Sequence, residues 1–284
     1  VDQKSPIEPF EIYLPQSENI HLLKKRTPVY WGGYGAITAT ISLFRAASKT
    51  LSFDRYVLMQ GTDYPIKSNK EIADFFSVHA DTEFIRAISE ATALNNEDRS
   101  KYVLKHYMGE PGLWGRTVNY ISYHIKKYWP YSLPRPQIKI DGKKCDIYRG
   151  WAQIALTEPA IQYILNFHDS HPKFNTFFKH VFAPDESYFH TIIYNSPFIE
   201  KTVDGKPIPE SCRSNEAMLN LTYFEYPDLV RIFKKKADFE LLNKSGYLYF
   251  RKATSESKEL LDYIDLVHKE DVNIRNINFI SNYT

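Results

Sequence analysis

The alternation of apolar and amphipathic segments between residues 18 and 60 most strongly limits how this chain can fold. Residues 20–23 (IHLL) predict a short strand, and residues 55–59 (RYVLM) predict a buried one. Between them, apolar residues recur every three or four positions, which predicts a helix over residues 36–48. Because strands that alternate with helices are typical of α/β proteins, we expect a parallel sheet with helices packed on it.

The loop after the second of these strands is the first candidate for a binding site. Residues 61–65 (GTDYP) are turn formers, and Ser68 and Glu71 have the spacing of a capping box, which predicts a helix over residues 69–78. In open α/β sheets, ligands bind at the carboxyl ends of strands. We therefore expect this loop either to bind a ligand or to serve only as a turn.

An aromatic and basic segment interrupts the pattern in the middle of the chain. Residues 118–129 (VNYISYHIKKYW) are helix-like and are followed by three prolines. The segment is expected to be an acceptor-binding insertion, a surface that lies on anionic lipid, or a helix that packs Val118, Ile121 and Ile125 on the core. The rest of the chain predicts a hairpin around Gly142, helices over residues 158–167, 186–194 and 257–268 and from residue 238, and strands over residues 221–223 and 248–250.

Composition excludes several classes of protein. The 36 Lys and Arg residues against 34 Asp and Glu residues give a net charge of +2, which is too balanced for a general nucleic-acid binder. Two cysteines cannot form a disulfide framework, and no Cys/His spacing resembles a zinc site, which favours a reducing compartment. No apolar run approaches the roughly 18 residues of a membrane span, so we expect any membrane contact to be peripheral.

Missing motifs narrow the chemistry further. The sequence has no Gly-x-Gly-x-x-Gly, no Walker-type phosphate loop and no Gly-x-Ser-x-Gly, which argues against Rossmann dehydrogenases, P-loop kinases and α/β-hydrolases. It also has no Asp-x-Asp pair, the kind of clustered carboxylate that holds a divalent cation on a sugar-nucleotide diphosphate. A transferase of this kind would need Lys and Arg instead, and we expect no metal and no cofactor.

Glu186 is the candidate general base. It lies in the segment Pro184-Asp185-Glu186-Ser187, which reads as a helix start. In the first turn of a helix, the dipole would keep a carboxylate ionised and ready to accept a proton. The alternative is an ordinary glutamate that complements a helix start.

Four motifs occur in the order seen in one enzyme family. They are VYWGG at residues 29–33, GTDYPIKSN at residues 61–69, PDESYFHT at residues 184–191 and LYFRK at residues 248–252. On these motifs the chain resembles the core-2/I-branching glycosyltransferases, which include β-1,6-N-acetylglucosaminyltransferases and peptide O-xylosyltransferases, and we expect a bacterial member. The resemblance covers residues 1 to about 252, although residues 150–156 (GWAQIAL) depart from the pattern of bacterial relatives on the acceptor side.

The resemblance implies a fold and a reaction. The fold would be α/β, a GT-A-like, Rossmann-type mixed sheet flanked by helices, in a single domain over residues 1–284 whose first βα unit is missing. Residues 1 to about 110 would form the donor side, and residues from about 111 to 284 the acceptor side and catalytic half. The reaction would be metal-independent, inverting transfer of N-acetylglucosamine or xylose from a UDP-sugar to a hydroxyl of a glycan, glycolipid or polysaccharide. The location would be the cytoplasm, at most peripheral at the inner membrane face, or the Golgi lumen in a eukaryote.

The resemblance also implies roles for residues. Glu186 would be the catalytic base, and Arg251 and Lys252 would neutralise the diphosphate. Asp2, Asp63, Trp31 and Gly32 would lie on the donor side, and Trp151 and Tyr64 on the acceptor side, whereas Arg231 only loosely resembles a second phosphate-contacting arginine. Open alternatives are a turn residue for Asp63, a solvated strand end for Arg251 and Lys252, and a core residue for Trp151.

Two other functions remain open at this stage. A glycoside hydrolase needs two carboxylates about 5–10 Å apart, and Glu186 with Asp63 could be such a pair. The cationic pair at residues 251–252 argues against this function, because a hydrolase has no diphosphate leaving group. A non-catalytic sugar-binding relative of a transferase is the second alternative.

Overall fold

The structure is a computed structural model that describes residues 1–13, 20–50, 52–92, 96–109, 112–128, 131–225 and 230–281. Its α-helices are α1 (Glu8–Tyr13), α2 (Gly35–Thr50), α3 (Asn69–Val78), α4 (Asn96–Val103), α5 (Leu113–Tyr128), α6 (Glu158–Ser170), α7 (Pro172–Phe178), α8 (Tyr188–Tyr194), α9 (Asp238–Lys244) and α10 (Lys258–Ser281). Its strands are β1 (Arg55–Val57), β2 (Asp63–Pro65), β3 (Ile88–Ser89), β4 (Gln137–Ile140), β5 (Lys143–Asp146), β6 (Tyr148–Arg149), β7 (Ala155–Thr157), β8 (Thr222–Tyr223) and β9 (Tyr249–Arg251). The chain is therefore a mixed α/β protein.

The helices whose local signals were clear form where they are predicted. Helix α2 buries Ile37, Ile41 and Phe44 along one face. Helix α3 begins with the predicted capping box, in which Ser68 and Glu71 bond each other's backbone N–H groups. These contacts are local, so the sequence pattern alone predicts them.

The sheets differ from the expected parallel arrangement. The strands form small sheets in which β1–β7, β2–β9, β3–β6 and β4–β5 are antiparallel, and β8–β9 is the parallel pair among the strands described. Except in the β4–β5 hairpin, strands that are far apart in the sequence pair with each other, so the order of elements along the chain does not predict their direction. The parallel-sheet prediction is wrong for these pairs.

Two segments near the N-terminus differ from the prediction in their local structure. Residues 20–23 form no strand, and Ile20 and Leu22 are exposed. Residues 63–65 of the predicted turn form β2, because Asp63 and Tyr64 pair with Arg251 and Phe250 on β9. The turn signal was correct only for the first residues of that loop.

The largest core packs α2, α6 and α8 against β1 and β7. It includes Ile41, Leu156, Ile161, Phe189 and Ile193, all of which are buried. A second apolar cluster joins Ile66 to residues far along the chain, Phe233, Leu242, Phe250, Leu260 and Ile264. In the part of the chain that the structure describes, no helix has the length and apolar character needed to cross a membrane.

Candidate active site

Glu186 lies in a short 3₁₀ turn directly before helix α8. Ala183 precedes this turn with a positive φ of 50°, and Pro184–Glu186 form the turn. Helix α8 itself begins at Tyr188, and all seven of its residues are buried. Glu186 is therefore not in the first turn of an α-helix, and the prediction that a helix dipole keeps it ionised is wrong.

The surroundings of the Glu186 carboxylate favour its protonated form. Burial raises its pKa above the usual value, the neighbouring charge of Asp185 raises it further, and Arg149 and Lys101 oppose the rise. Among the described residues, none donates a hydrogen bond to this carboxylate. The oxygens are thus available to a substrate hydroxyl, and the raised pKa makes the carboxylate a stronger base than a solvated glutamate.

A buried ion pair between Glu90 and Arg149 lies near the turn that carries Glu186. Glu90 is fully buried, and its Oε1 accepts a hydrogen bond of 2.7 Å from Nε of Arg149. Arg213 reaches the same cluster through a 3.2 Å ion pair with Asp98. Sequence reasoning missed these residues, because they lie far apart in the chain and no local motif connects them.

Residues 150–153 connect Glu186 to the predicted diphosphate-binding residues. The backbone N–H of Gly150 donates to the Glu186 carbonyl at 2.9 Å, and the Gln153 side chain hydrogen-bonds Asp63. A side chain at Gly150 would place its Cβ 2.0 Å from the Arg86 carbonyl oxygen and 2.7 Å from Nε2 of His190. Only glycine allows so close an approach, and the segment that Gly150 begins contacts both the Glu186 backbone and Asp63.

Asp63 and Arg251 face each other across the β2–β9 pair. An Arg251 Nη1 donates to Oδ1 of Asp63 at 3.1 Å and also to the Gln60 side-chain oxygen. The Asp63 side chain is fully buried, and its other oxygen accepts the Gln60 backbone N–H at 2.7 Å. Arg251 is therefore engaged by a buried carboxylate and is not a solvated strand end, whereas the bond from the Gln60 N–H to Asp63 is also the one expected of a residue that caps its own turn.

Lys252 differs from its neighbour. Its backbone N–H donates to the carbonyl of Arg231 at 3.2 Å, but its ammonium group has no hydrogen-bond or ion-pair partner in the described part of the chain. Arg231 itself pairs with Glu225 at 2.8 Å and with Asp238 at 2.9 Å. Arg231 and Lys252 are therefore neighbours in the structure. The Arg231 side chain is already paired with carboxylates, whereas the Lys252 side chain is available to bind an anion.

The loop with Trp31 and Gly32 packs against the segment that leads to Glu186. The Gly32 carbonyl accepts the Ala183 N–H at 3.0 Å, and Trp31 stands edge-on to Phe182 with ring centroids 5.1 Å apart. Gly32 has a φ of 70°, a conformation that favours glycine, whereas Trp31 is 79% exposed. Asp2 contacts the same loop through the Val29 N–H, and its hydrogen bonds with Lys4 lower its pKa.

The two predicted acceptor-side residues have partners elsewhere. The Tyr64 hydroxyl donates to Asp265 of α10 at 2.6 Å, and its ring packs on the second apolar cluster. The Trp151 indole N–H donates to the Asn215 carbonyl at 2.9 Å, and its ring is edge-on to Phe224. Neither contact brings the ring to Glu186, so their acceptor roles stay predictions.

The described residues include no group of three or more His, Cys, Asp or Glu side chains that could hold a metal ion. The structure brings Arg149 and Lys101 near the Glu186 carboxylate, and it places Arg251 at the end of β9 with Lys252 directly after it. Such a set can accept a proton on one side and stabilise a developing negative charge on the other.

A glutamate with a raised pKa and a lysine without a partner among the described residues are groups that an enzyme can use to transfer a group from an anionic leaving group. Comparison with known proteins specifies the class, since residues 1–206 match the model of the Core-2/I-Branching enzyme family. The chain belongs to this family of glycosyltransferases. The match ends before residues 248–252, so it does not cover Arg251 and Lys252.

Individual relatives agree with this assignment. The chain is 23% identical to Xylosyltransferase 2 of Rattus norvegicus over 191 residues, which are 66% of this chain and 20% of the relative. It is 24% identical to Xylosyltransferase oxt of Drosophila pseudoobscura pseudoobscura over 196 residues, which are 66% of this chain and 19% of the relative. The chain thus spans about a fifth of the length of the curated relatives that it matches.

Proposed function

We propose that this chain transfers a sugar, xylose or N-acetylglucosamine, from a UDP-sugar to a hydroxyl of a glycan or glycoconjugate, with inversion and without a metal ion. The observation that carries the proposal is the Glu186 carboxylate, which has a raised pKa and no hydrogen-bond donor among the described residues. The mixed α/β architecture is compatible with a GT-A-like fold. The names of the relatives, which are xylosyltransferases, favour xylose as the transferred sugar.

In the proposed reaction Glu186 accepts the proton of the acceptor hydroxyl. The acceptor oxygen then forms a bond to the anomeric carbon while the bond from that carbon to the UDP oxygen breaks. Negative charge builds on the leaving diphosphate, and in this proposal the Lys252 ammonium group stabilises it. Charge-assisted contacts of this kind do electrostatically what a divalent cation does in metal-dependent transferases.

The structure argues against a glycoside hydrolase, because Asp63 is not available as the second catalytic carboxylate. Asp63 would have to act beside Glu186, but its oxygens are engaged by Arg251 and by the Gln60 N–H. Family membership also favours transfer over hydrolysis. A transferase is therefore the function best supported by the site.

The test compares Glu186→Gln with the wild-type protein in UDP-release assays with UDP-xylose and UDP-N-acetylglucosamine. General-base catalysis is typically worth about 10²- to 10⁴-fold in rate, so we expect a loss of that size with UDP binding retained. The raised pKa of Glu186 indicates that its charge destabilises the fold, so Glu186→Gln is expected to unfold at a temperature no lower than wild type. Glu240→Gln is the matched control, because the Glu240 side chain is 81% exposed on α9.

Two outcomes would contradict the proposal. Turnover of Glu186→Gln above about a tenth of wild type would remove Glu186 as the base, since a base contributes at least about 10²-fold. Complete loss of wild-type activity in EDTA with recovery in Mn²⁺ would contradict the metal-independent mechanism. The anomeric configuration of the product, measured by NMR, tests inversion separately.

A further inference from the structure

Helix α5 has one side against the rest of the protein and exposes its aromatic side. Its buried residues are Gly115 and Ser122. Its exposed side chains include Leu113 at 85%, Trp114 at 72%, Tyr120 at 66%, Ile121 at 50% and Tyr128 at 62% of their full accessibility. Of the three residues of the expected core face, Val118 and Ile125 are half-buried, whereas Ile121 is exposed with the aromatic residues, so the prediction is wrong for Ile121.

Hydrogen bonds to a neighbouring segment hold the helix in this orientation. The Asn119 side-chain amide donates to the Tyr107 carbonyl and accepts the Tyr107 N–H, both at 2.8 Å. The Ser122 hydroxyl donates to the Lys105 carbonyl at 2.9 Å. Rotating α5 to bury its aromatic face would break these contacts, so the exposed apolar surface is built into the fold.

The geometry of the rings argues against a platform for sugars. The His124 ring lies between Tyr120, at a centroid distance of 4.2 Å, and Tyr128, at 5.5 Å and nearly parallel. The Tyr120 ring is tilted by 56° from the His124 ring, whereas Tyr128 covers one face of His124, so these three rings present no single flat surface to a sugar. Tyrosine and tryptophan rings with an apolar body and a polar tip suit the interface between lipid and water instead.

The positive charge of helix α5 favours a lipid surface that carries negative charge. Residues 113–128 contain Arg116, Lys126 and Lys127 but no acidic residue. Lys126 pairs with Glu97, whereas Arg116 and Lys127 are exposed beside the aromatic face. An apolar helix face flanked by cations is the pattern of helices that lie in the headgroup region of anionic bilayers.

We propose that the exposed face of α5 docks this protein on an anionic phospholipid bilayer. The helix lies in the plane of the interface, with Trp114, Tyr120, Ile121 and Tyr128 among the lipids and Arg116 and Lys127 against the phosphate groups. This docking does not depend on the proposed sugar transfer, and it can be measured without any enzyme assay.

The first test is co-sedimentation of the full chain with lipid vesicles. We expect binding to phosphatidylcholine vesicles that contain phosphatidylglycerol, weak binding to pure phosphatidylcholine, and loss of binding at high salt, because salt screens the attraction of cations to the surface. Equal binding to both kinds of vesicle, or no binding to either, would overturn the proposal.

Variants of exposed residues locate the contact. Trp114→Ser with Ile121→Ser is expected to weaken binding to anionic vesicles about tenfold or more, since two buried apolar side chains are removed from the lipid. Lys127→Glu is expected to weaken it about tenfold or more as well, because an attractive charge becomes repulsive. Val78→Ser and Lys244→Glu are matched controls, since these side chains are 80% and 79% exposed on other helices.

The same variants identify a competing occupant of the face. If a second copy of the chain covers α5, the wild-type protein will sediment as a dimer without lipid, and the Trp114→Ser variant with Ile121→Ser will be monomeric. That result would overturn the bilayer proposal. Control variants that weaken vesicle binding as much as the α5 variants would also overturn it.

Discussion

The adjacent cations Arg251 and Lys252 have different surroundings and therefore different expected roles. Arg251 donates to the fully buried Asp63, whereas the Lys252 ammonium has no partner in the described part of the chain. A buried carboxylate that loses its cation is left with an uncompensated charge. We therefore expect Arg251 to contribute to the stability of the fold and Lys252 to bind the anionic diphosphate.

We expect Arg251→Ala to lower the free energy of unfolding by about 3 kcal/mol, as for other broken buried ion pairs. Lys252→Ala is expected to leave stability near wild type but to reduce kcat/KM by about 10²-fold or more, on the scale of a lost oxyanion donor. Thermal unfolding and UDP-release kinetics measure the two effects.

The double variant Arg251→Ala with Asp63→Asn is the control for this separation. It removes the unpaired charge, so it should recover much of the stability lost in Arg251→Ala. If Lys252→Ala were the variant that unfolds early and Arg251→Ala the one that loses only turnover, the assignment of roles would be reversed.

The pKa of Glu186 should also be adjustable by its neighbours. Ionised Glu186 is the active form of the proposed base, so activity is expected to fall as the pH drops through its raised pKa. Asp185→Asn removes a charge that raises this pKa and should move the acid limb to lower pH. Lys101→Met removes a charge that lowers it and should move the limb to higher pH.

The measurement is kcat/KM as a function of pH for the three proteins. The opposite signs matter, because a general loss of stability would move both variants in the same direction. An acid limb that stays at the wild-type position in both variants would show that Glu186 does not control the profile.

At the scale of elements, the contact between residues 150–153 and helix α8 determines the shape of the site. Gly150 lies against His190, which is fully buried on α8 and whose pKa burial lowers to about 3. A neutral histidine fits this apolar contact, and the tight packing positions the turn that carries Glu186. Helix α8 therefore supports the turn by packing, and its dipole is not what sets the protonation of Glu186.

Gly150→Ala is expected to destabilise the protein by about 3 kcal/mol or more, because the new methyl group would overlap the Arg86 carbonyl and the His190 ring. Gly61→Ala is the matched control, since a Cβ there meets nothing within 4 Å. Equal unfolding temperatures for the two variants, measured by thermal denaturation, would contradict the close packing described for Gly150.

At the scale of the whole molecule, the end of the family match is not a structural boundary. Strand β2, within the matched residues 1–206, pairs with β9 at residues 249–251. The Ile208 N–H donates to the Ala87 carbonyl at 2.8 Å, and Ile66 packs with Phe250 and Leu260. The last part of the chain thus completes the core of the first part.

A fragment of residues 1–206 is therefore expected not to fold cooperatively. It would lose several buried side chains worth about 1.5–3 kcal/mol each, which together approach the 5–15 kcal/mol stability of a typical domain. A chain ending at Lys269 keeps β9 and the Tyr64–Asp265 hydrogen bond, and it is the matched control. A sharp denaturant transition of the shorter fragment would contradict this expectation.

Local signals in the sequence were sufficient for several elements and for the identity of the family. The spacing of apolar residues predicted α2, the capping box predicted α3, and residues around Gly142 predicted the β4–β5 hairpin. Each depends on contacts between residues a few positions apart. The four ordered motifs likewise indicated the family, which the match over residues 1–206 confirms.

Contacts between distant residues were decided only by the tertiary structure. No local pattern shows that Asp63 pairs with Arg251, that Glu90 supports Arg149, or that α5 turns its aromatic side outward. The environment of Glu186 is the clearest case, because the sequence placed it in a stabilising helix dipole and the fold instead buries it and raises its pKa. The sequence by itself thus determined the residue types and the local elements. The tertiary structure decided pairing, burial and protonation, since these depend on which distant groups share a low-dielectric interior.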